Sequence, residues 1–593
     1  MAKDTAKPPI ADFFRRFLAV AGGYWASDEK WRARLLTGTL GVLTIGQVIV
    51  PILINLWSQR LFDALEQRSM DRFLTMIAVV GAIIAFNIAN TMAHLRVKRR
   101  LQLGWRMWLT RRLLGDWLAR GRQLQVNYLP GEHDNPDGRI AEDIRITTEA
   151  AIDLGLSLSY CVMLLISFTE ILWILSGAPE ATLLGFTFTV PGYLIYIAML
   201  YAAAGTTIAM VVGRPLMRAA NRRQRFEADF RFGLARVREN AEAIALLHGE
   251  HDERRRMLAL TDGVVTGWGG QTRALSNMMI FSATYSVLSA AFPVLVAAPR
   301  YISGSITLGV LMQTAQAFQQ TVAALSWPID NLPRAAEWSA SVERVLGLHD
   351  AMQRLIRESN GDENERIFVE RLESGQTLSF RGLTVMDPTG NVIVQPFDAD
   401  IQLGERVLIA GDPGATVRLF KAVARVWPWG RGRIVLPADQ RVFFMPQRPY
   451  VPPGSLRSAL AYPLDPETVN ETVAREVLTQ VGLAYLASRL DEDQNWEAEL
   501  AAPEQQRLGF ARLLIQRPSW IFIEDATDAL DPLGEEDMLR LLDEEFPHAT
   551  LLTIGNHASL AAHHRRRFDL ERTNGSVRVI DTQYTLPVDV PCD

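Results

Sequence analysis

The chain has 593 residues, 48% of them hydrophobic and 21% charged, with a formal net charge of −5 at pH 7. That acidic balance argues against a nucleic-acid binder, which would carry a basic excess or a basic face. A mean hydropathy just above zero is too apolar for an ordinary soluble protein and too polar for a purely membrane-embedded one, so one membrane part and one soluble part are expected.

From the N-terminus, Ile10–Trp25 mixes apolar and basic residues. It predicts an interfacial helix leading to the membrane, with an ordinary amphipathic helix as the alternative. The first long apolar run starts after Arg34, too late and too long for a cleavable signal. Six charge-poor stretches follow: Leu35–Gln59, Phe73–His94, Leu154–Ala178, Ala181–Val212, Ala274–Pro299 and Tyr301–Ile329. Each can supply the roughly 20 residues that a spanning helix needs. Arg96, Lys98, Arg99 and Arg100 follow the second stretch, and Arg214, Arg218, Arg222, Arg223 and Arg225 follow the fourth. The short link after the third has no Lys or Arg. This asymmetry places both chain ends in the cytoplasm. The long charged segments after spans two and four read as helices running out beyond the bilayer and back.

Glu170 is the one acidic residue inside a span. At mid-bilayer it would cost about 2.5–3.5 kcal/mol, so it should face a cavity. It reads either as a proton-coupling or cation-contacting group, or as a carboxyl hydrogen-bonded to a neighbouring helix. Gln313, Gln316 and Gln320 fall on one helix face, which fits either a substrate-lining surface or interhelical hydrogen bonding. Asn90, His94 and Gln47 read as helix-packing residues. Arg222–Arg238 is interleaved with Glu227 and Asp229, so a solvated, salt-bridged helix is expected.

After Asp330 the apolar runs shorten. Glu358–Gly375 is charged and turn-rich, and short β-type runs then alternate with helical ones, at Val407–Ala410, Val442–Met445, Trp520–Ile523 and Leu551–Ile554. That alternation indicates an α/β domain. The expected division is 1–34 for the N-terminal helix, 35–350 for an all-α six-helix transmembrane domain, 351–377 for a linker, 378–575 for the α/β domain and 576–593 for a tail.

Gly404–Gly414 reads as a strand entering a glycine-bearing turn, the setting of a phosphate-binding loop. Gly411, Asp412, Pro413, Gly414 and Ala415 form the candidate cradle. Thr416 stands at the third glycine position, Val417 at the lysine position and Arg418 at the Mg²⁺-holding hydroxyl position. Five further blocks carry a family resemblance: WPWGRGRI at Trp427–Ile434, Pro446–Pro463, EQQRLGFARLL at Glu504–Leu514, IFIEDATDALD at Ile521–Asp531 and, in the membrane half, NPDGRIAEDI at Asn135–Ile144. Together with Glu227–Leu246 they resemble ABC transporters of the SbmA/BacA, YddA and peroxisomal fatty-acid transporter group.

The resemblance implies an exporter-type ABC fold with a P-loop-type nucleotide domain, with ATP and Mg²⁺ as cofactors. It implies that Gln447 touches Mg²⁺ and that Asp531 lies in the loop crossing the dimer. Several positions depart from the family pattern. Leu500–Glu504 reads LAAPE where the signature has LSGGE, and Pro503 lacks an N–H. Glu524-Asp525 reverses the usual Asp-Glu order, leaving Glu524 for Mg²⁺ and Asp525 for the attacking water. Asn556 occupies the switch-histidine position, with His557 beside it, and the adenine-stacking position falls near Met386 or Asp387. Phosphoryl transfer depends on positioning and charge stabilisation, so these losses predict impaired hydrolysis. In NPDGRIAED, the resemblance places Arg139, Glu142 and Asp143 in a hairpin that docks on the soluble domain.

The reading is therefore a homodimeric, multi-pass transporter subunit of a bacterial inner membrane, embedded in lipid. Its expected cargo is a small peptide-like, cobalamin-like or acyl substrate, with ATP hydrolysis impaired or lost and proton coupling in its place. A conventional ATP-driven pump with atypical motifs and a non-transporting sensor or scaffold remain the alternatives.

Overall fold

The computed structural model describes residues 10–129, 135–177, 180–183, 186–189, 191–359, 366–372, 376–437, 441–573 and 575–583. Residues 360–365 and 373–375 of the expected linker and the last ten residues, Cys592 among them, lie outside them. The chain divides into two compact units. One contains residues 1–111 and 137–346, and the other residues 112–136 and 347–593.

The first unit is helical. Helix α1 (Ile10–Ala21) and a 3₁₀ turn precede α2 (Lys30–Glu66) and α3 (Met70–Leu118). Phe17, Val20 and Tyr24 are buried, and Phe17 meets Trp105 and Trp338 edge-on. The apolar face of α1 is thus spent largely on protein, while Phe14 and Leu18 stay exposed. The short α4 (Arg122–Gln125) belongs to the second unit. Then come α5 (Ile144–Ser176), α6 (Tyr193–Glu239), α7 (Glu250–Ile302) and α8 (Leu308–Ser359). At 1.5 Å per residue, α3, α6 and α7 each exceed the roughly 30 Å of bilayer hydrocarbon twice over.

Five of the described helices are long and apolar enough to cross a membrane. The sixth expected span falls in α8, which is long enough but carries Gln313, Gln316, Gln319 and Gln320 along its first turns. Two span boundaries are corrected. The fourth helix starts at Tyr193, not Ala181, because Glu180–Leu183 (β1) pairs antiparallel with Phe186–Thr189 (β2). Thr182, Thr187 and Thr189 favour extended backbone, and Pro191 opposes extension of the helix upstream. The sixth starts at Leu308, not Tyr301, after a turn at Ser303–Ser305.

Val48, Leu164, Phe168, Leu194 and Phe318 form the bundle's core. Val42, Ile84, Ile166, Leu200 and Val287 point outward and are exposed, as expected where lipid is the solvent. The helices approach closely at small residues. A Cβ on Gly309 would lie 2.2 Å from the Gln59 carbonyl oxygen. Asn90 Nδ2 donates to the Leu43 carbonyl, and His94 Nε2 lies 3.3 Å from Thr44 Oγ1, so both tie α3 to α2. On α6, Arg223 pairs with Glu227 at 3.0 Å and lies over the Trp268 ring. Asp143 receives Arg344 Nε at 2.8 Å, and Arg139 donates to the Arg344 carbonyl. These two residues therefore fasten the start of α5 to α8 within the first unit.

The second unit is α/β. Its strands are β3 (Ile367–Leu372), β4 (Thr377–Met386), β5 (Val392–Gln402), β6 (Arg406–Gly411), β7 (Gly430–Pro437), β8 (Val442–Met445), β9 (Trp520–Glu524), β10 (Thr550–Ile554), β11 (Arg566–Thr573) and β12 (Ser576–Gln583). They form one sheet in the order β3-β7-β4-β5-β12-β11-β6-β10-β9-β8. The four runs expected from sequence are neighbours in it, all parallel. β10 is buried along its whole length, as a central parallel strand covered on both faces must be. Helices α9 (Pro413–Val423), α10 (Ala502–Gln516) and α11 (Pro532–Glu545) complete the elements around the candidate site.

Candidate functional site

In an open parallel sheet, ligands bind beyond the carboxyl ends of the strands. Here that edge gathers Gly411 at the end of β6, Glu524 at the end of β9, and Asn556 just past β10. Asn556 Oδ1 accepts the Gly411 N–H at 3.1 Å. Gly411 has φ +114°, and a Cβ there would lie 2.3 Å from the Leu570 carbonyl oxygen. Only glycine fits that position.

The turn after Gly411 is tight. Asp412 is the N-cap of α9 and Pro413 its first residue, a favoured pairing of cap and proline. The Asp412 carboxylate accepts the Ala415 N–H at 3.0 Å, and Arg572 Nε lies 3.5 Å from its other oxygen. Gly414, expected in a loop, is already in the first turn of the helix, as are Ala415 and Thr416. Thr416 and Ala415 are buried, and Thr416 Oγ1 bonds back to the Pro413 carbonyl. Arg418 folds back to donate to the Gly414 carbonyl at 2.8 Å and lies over the Trp427 ring. Lys421 Nζ is 3.3 Å from the Tyr128 hydroxyl. The carboxylate of Asp412 therefore stands at the helix end where the dipole and free N–H groups would attract an anion.

Around it, Gln447 Nε2 donates to Asp528 Oδ2 at 2.9 Å. His557 lies 3.4 Å from Asp528 Oδ1 and 3.3 Å from Glu535 Oε1. Burial pushes the Glu524 carboxyl up, with Lys421 opposing and Asp525 adding to the shift. Burial and the nearby Asp528 push Asp525 up, and Asp525 sits at φ +44°. Asp531 is the N-cap of α11, accepting from Gly534 N–H. Met386 N–H is taken by the Trp429 carbonyl. Asp387 is spent on its own turn, where bonds from Thr389 and Asn391 hold its carboxyl at about 2.

Residues 25–302 match the family model described as ABC transporter transmembrane region 2. The chain is 28% identical to the inner membrane ABC transporter ATP-binding protein YddA of Escherichia coli, over 91% of this chain and 94% of YddA. It is 28% identical to ABC transporter D family member 2, chloroplastic, of Arabidopsis thaliana, over 94% of this chain and 86% of that one. Its fold matches a bacterial Atm1-family ABC exporter with ATP bound, at a TM-score of 0.65 and 16% identity, covering 92% of this chain and 94% of the other.

Along nearly its whole length the chain is similar to ABC transporter half-molecules.

In this chain the long helices precede the α/β elements. The segment expected to hold the signature enters α10 with Ala501 as N-cap, and the Glu504 side chain accepts the Ala501 N–H at 2.8 Å. Tyr485 Oη donates to the same carboxylate. Pro503, in the first turn of α10, has no N–H to offer.

Three groups in the candidate site were not singled out from sequence. Buried Gln506 joins two loops, donating to the Gln447 carbonyl and accepting the Ala529 N–H. Buried Glu535 accepts from Thr527 and Ser559, each at 2.9 Å, and faces His557. Tyr128, on the segment after α3, packs against Trp427 at 4.8 Å between centroids. None has a local signal, because their partners lie up to 299 positions away.

In the membrane domain, Glu170 is exposed on the outward face of α5 beside Ile166 and Trp173. With Leu165, Thr169 and Ile195 these residues line an open pocket on that face. Gln313 is buried and Gln316 Nε2 donates to Ser58 Oγ at 3.1 Å. Asn55 Nδ2 donates to the Gln313 carbonyl at 2.9 Å. These glutamines meet α2 of the same chain, and Gln320 is partly buried on the same helix.

Proposed function

We propose that this exporter-type subunit works as a homodimer carrying peptide-like, cobalamin-like or acyl cargo, with a soluble domain that hydrolyses ATP poorly or not at all. The observation that carries the reading is Asp412. Its carboxylate caps α9 where a nucleotide's phosphates would need free N–H groups and positive charge. Val417 cannot supply that charge, and Arg418 and Lys421 are committed to the Gly414 carbonyl and to Tyr128. Glu504 likewise takes the Ala501 N–H at the signature helix. The turn therefore fits a nucleotide's terminal phosphates and Mg²⁺ poorly. Losing one such electrostatic contact costs about 10²–10³ in rate, and groups acting as a unit do not add.

The test is hydrolysis by purified full-length dimer. The reading expects no cargo-stimulated, vanadate-sensitive phosphate release. Brisk Mg²⁺-dependent release, lost in Glu524→Gln or Asp525→Asn, overturns it.

A driving force other than ATP is then needed. We assign proton coupling to Glu170, whose exposed position on α5 leaves it open to a second copy. Uptake should survive ATP depletion, collapse with a protonophore and fail in Glu170→Gln. Unchanged uptake in that variant removes the residue from the mechanism.

A second reading, a conventional pump with atypical motifs, draws on the assembled edge itself. Glu524, Asp525, Gln447 and His557 all gather about the carboxyl ends of the strands and Asp528. Vanadate-sensitive turnover that rises with cargo would favour it.

A further inference from the structure

A cavity in the second unit lies away from the Asp412 turn. Its volume is about 610 Å³, within the range that holds a small molecule. It opens beside the C-terminal end of α9, some eleven residues from the N-cap, or roughly 16 Å along the helix.

Four arginines line it: Arg120 and Arg122 from the segment around α4, Arg366 before β3, and Arg425 just past α9. No Asp or Glu is among its described lining residues. Phe368 and Trp427 add apolar wall. Arg122 is held by the Asp116 carbonyl at 2.8 Å, with an Asp116 carboxyl oxygen at 4.0 Å. Arg120 and Arg425 are exposed and form no ion pair among the described residues.

The backbone carries the second observation. Arg120 has φ +53° and Arg425 φ +63°. A residue with a Cβ pays about 1–2 kcal/mol in that region, and helix ends of this kind usually carry glycine. The chain instead places an arginine at both strained positions, and both reach the same cavity. Such strain persists where the surroundings over-determine it, often at ligand sites. The α9 C-terminus contributes only about half a negative charge, against the two guanidiniums of Arg120 and Arg425.

We infer that this cleft is a second anion site, separate from the strand-end edge, that takes a multiply charged phosphoryl group. The carrier is a phosphorylated small molecule or an anionic lipid headgroup. Guanidinium forks match phosphate oxygens in pairs, and Phe368 and Trp427 offer surface to an apolar portion.

The experiment is calorimetric titration of full-length protein in phosphatidylcholine nanodiscs with inorganic pyrophosphate. In parallel, co-flotation compares phosphatidylglycerol vesicles with phosphatidylcholine vesicles. Saturable pyrophosphate binding is expected, weakened at least tenfold in Arg120→Ala/Arg425→Ala. Replacing both by lysine should restore most of it, because the lost quantity is charge. Capture by phosphatidylglycerol vesicles alone, with the same arginine dependence, assigns the site to the headgroup. The alanine pair must keep the wild-type unfolding temperature, which is expected because both side chains are exposed. Binding that ignores the arginine pair, or no binding in either arm, overturns the inference. So does binding that vanishes in Asp412→Lys, which alters only the α9 N-cap, and persists in the alanine pair.

Discussion

Asp412 Oδ1 accepts the Ala415 N–H at 3.0 Å, so helix 413–423 begins with an anion belonging to its own chain. The contact is a helix cap and an electrostatic plug together. Cap substitutions by Ala typically cost about 1 kcal/mol, whereas Asn keeps the acceptor and removes the charge. Asp412→Asn should therefore leave stability nearly unchanged and tighten ATP several-fold, without restoring hydrolysis. Titration with a fluorescent nucleotide, alongside thermal unfolding, checks this. Equal affinity in the two proteins would mean the carboxylate does not oppose phosphate.

Glu535 is buried and accepts from both Thr527 and Ser559. Removing it strands the buried Thr527 hydroxyl, at about 1–3 kcal/mol, whereas exposed Ser559 can turn to water. Glu535→Ala should lower stability by roughly 1–3 kcal/mol, while Glu535→Gln should lose less because one acceptor remains. Chemical denaturation of full-length protein gives the comparison. A neutral Glu535→Ala would show that these bonds are not made in solution.

His564 Nδ1–H donates to the Leu560 carbonyl, and its Nε2 lies 2.8 Å from Thr553 Oγ1. Burial holds its ring down to about 4 from an ordinary value of 6.5. The folded state thus binds this proton more weakly than the unfolded state. The stability from a neutral ring is complete above pH 6.5 and drains away as pH falls toward 4. The whole effect is on the order of 3 kcal/mol. His564→Gln should flatten the decline between pH 6.5 and 4 in a denaturation series, and an unchanged slope would reject the assignment.

Gly309 lets α8 rest on α2, where a Cβ would meet the Gln59 carbonyl at 2.2 Å and Asp63 Oδ1 at 2.4 Å. The Gly309 N–H donates to Asp63 Oδ1. Gly309→Ala must push the helices apart, at about 1–3 kcal/mol for overpacking, and Gly309→Leu should cost more. A drop in the detergent unfolding temperature that grows with side-chain size is the expected result. Tolerance of leucine would place the crossing elsewhere.

Much of the architecture was legible in the chain because the cues are local. Uncharged runs long enough for a bilayer marked the helices. Short β-branched runs between helical ones marked β6, β8, β9 and β10 and their shared α/β sheet. Where local cues conflicted with length, boundaries moved: the Thr-rich stretch before Pro191 pairs as β1 and β2 despite its apolar character.

Read without coordinates, Val417, Arg418 and Ala501 stand where a lysine, a hydroxyl and a signature serine were expected. They could not say where the remaining charges point. Whether Arg418 reaches toward a phosphate or back to the Gly414 carbonyl depends on packing against Trp427, nine positions on. The outward exposure of Glu170, the union of Gln506 with Gln447 and the gathering of four arginines around one cleft are likewise tertiary facts. Spacing along the chain sets which groups share a helix face or strand. Only the packing of distant elements decides which charges meet.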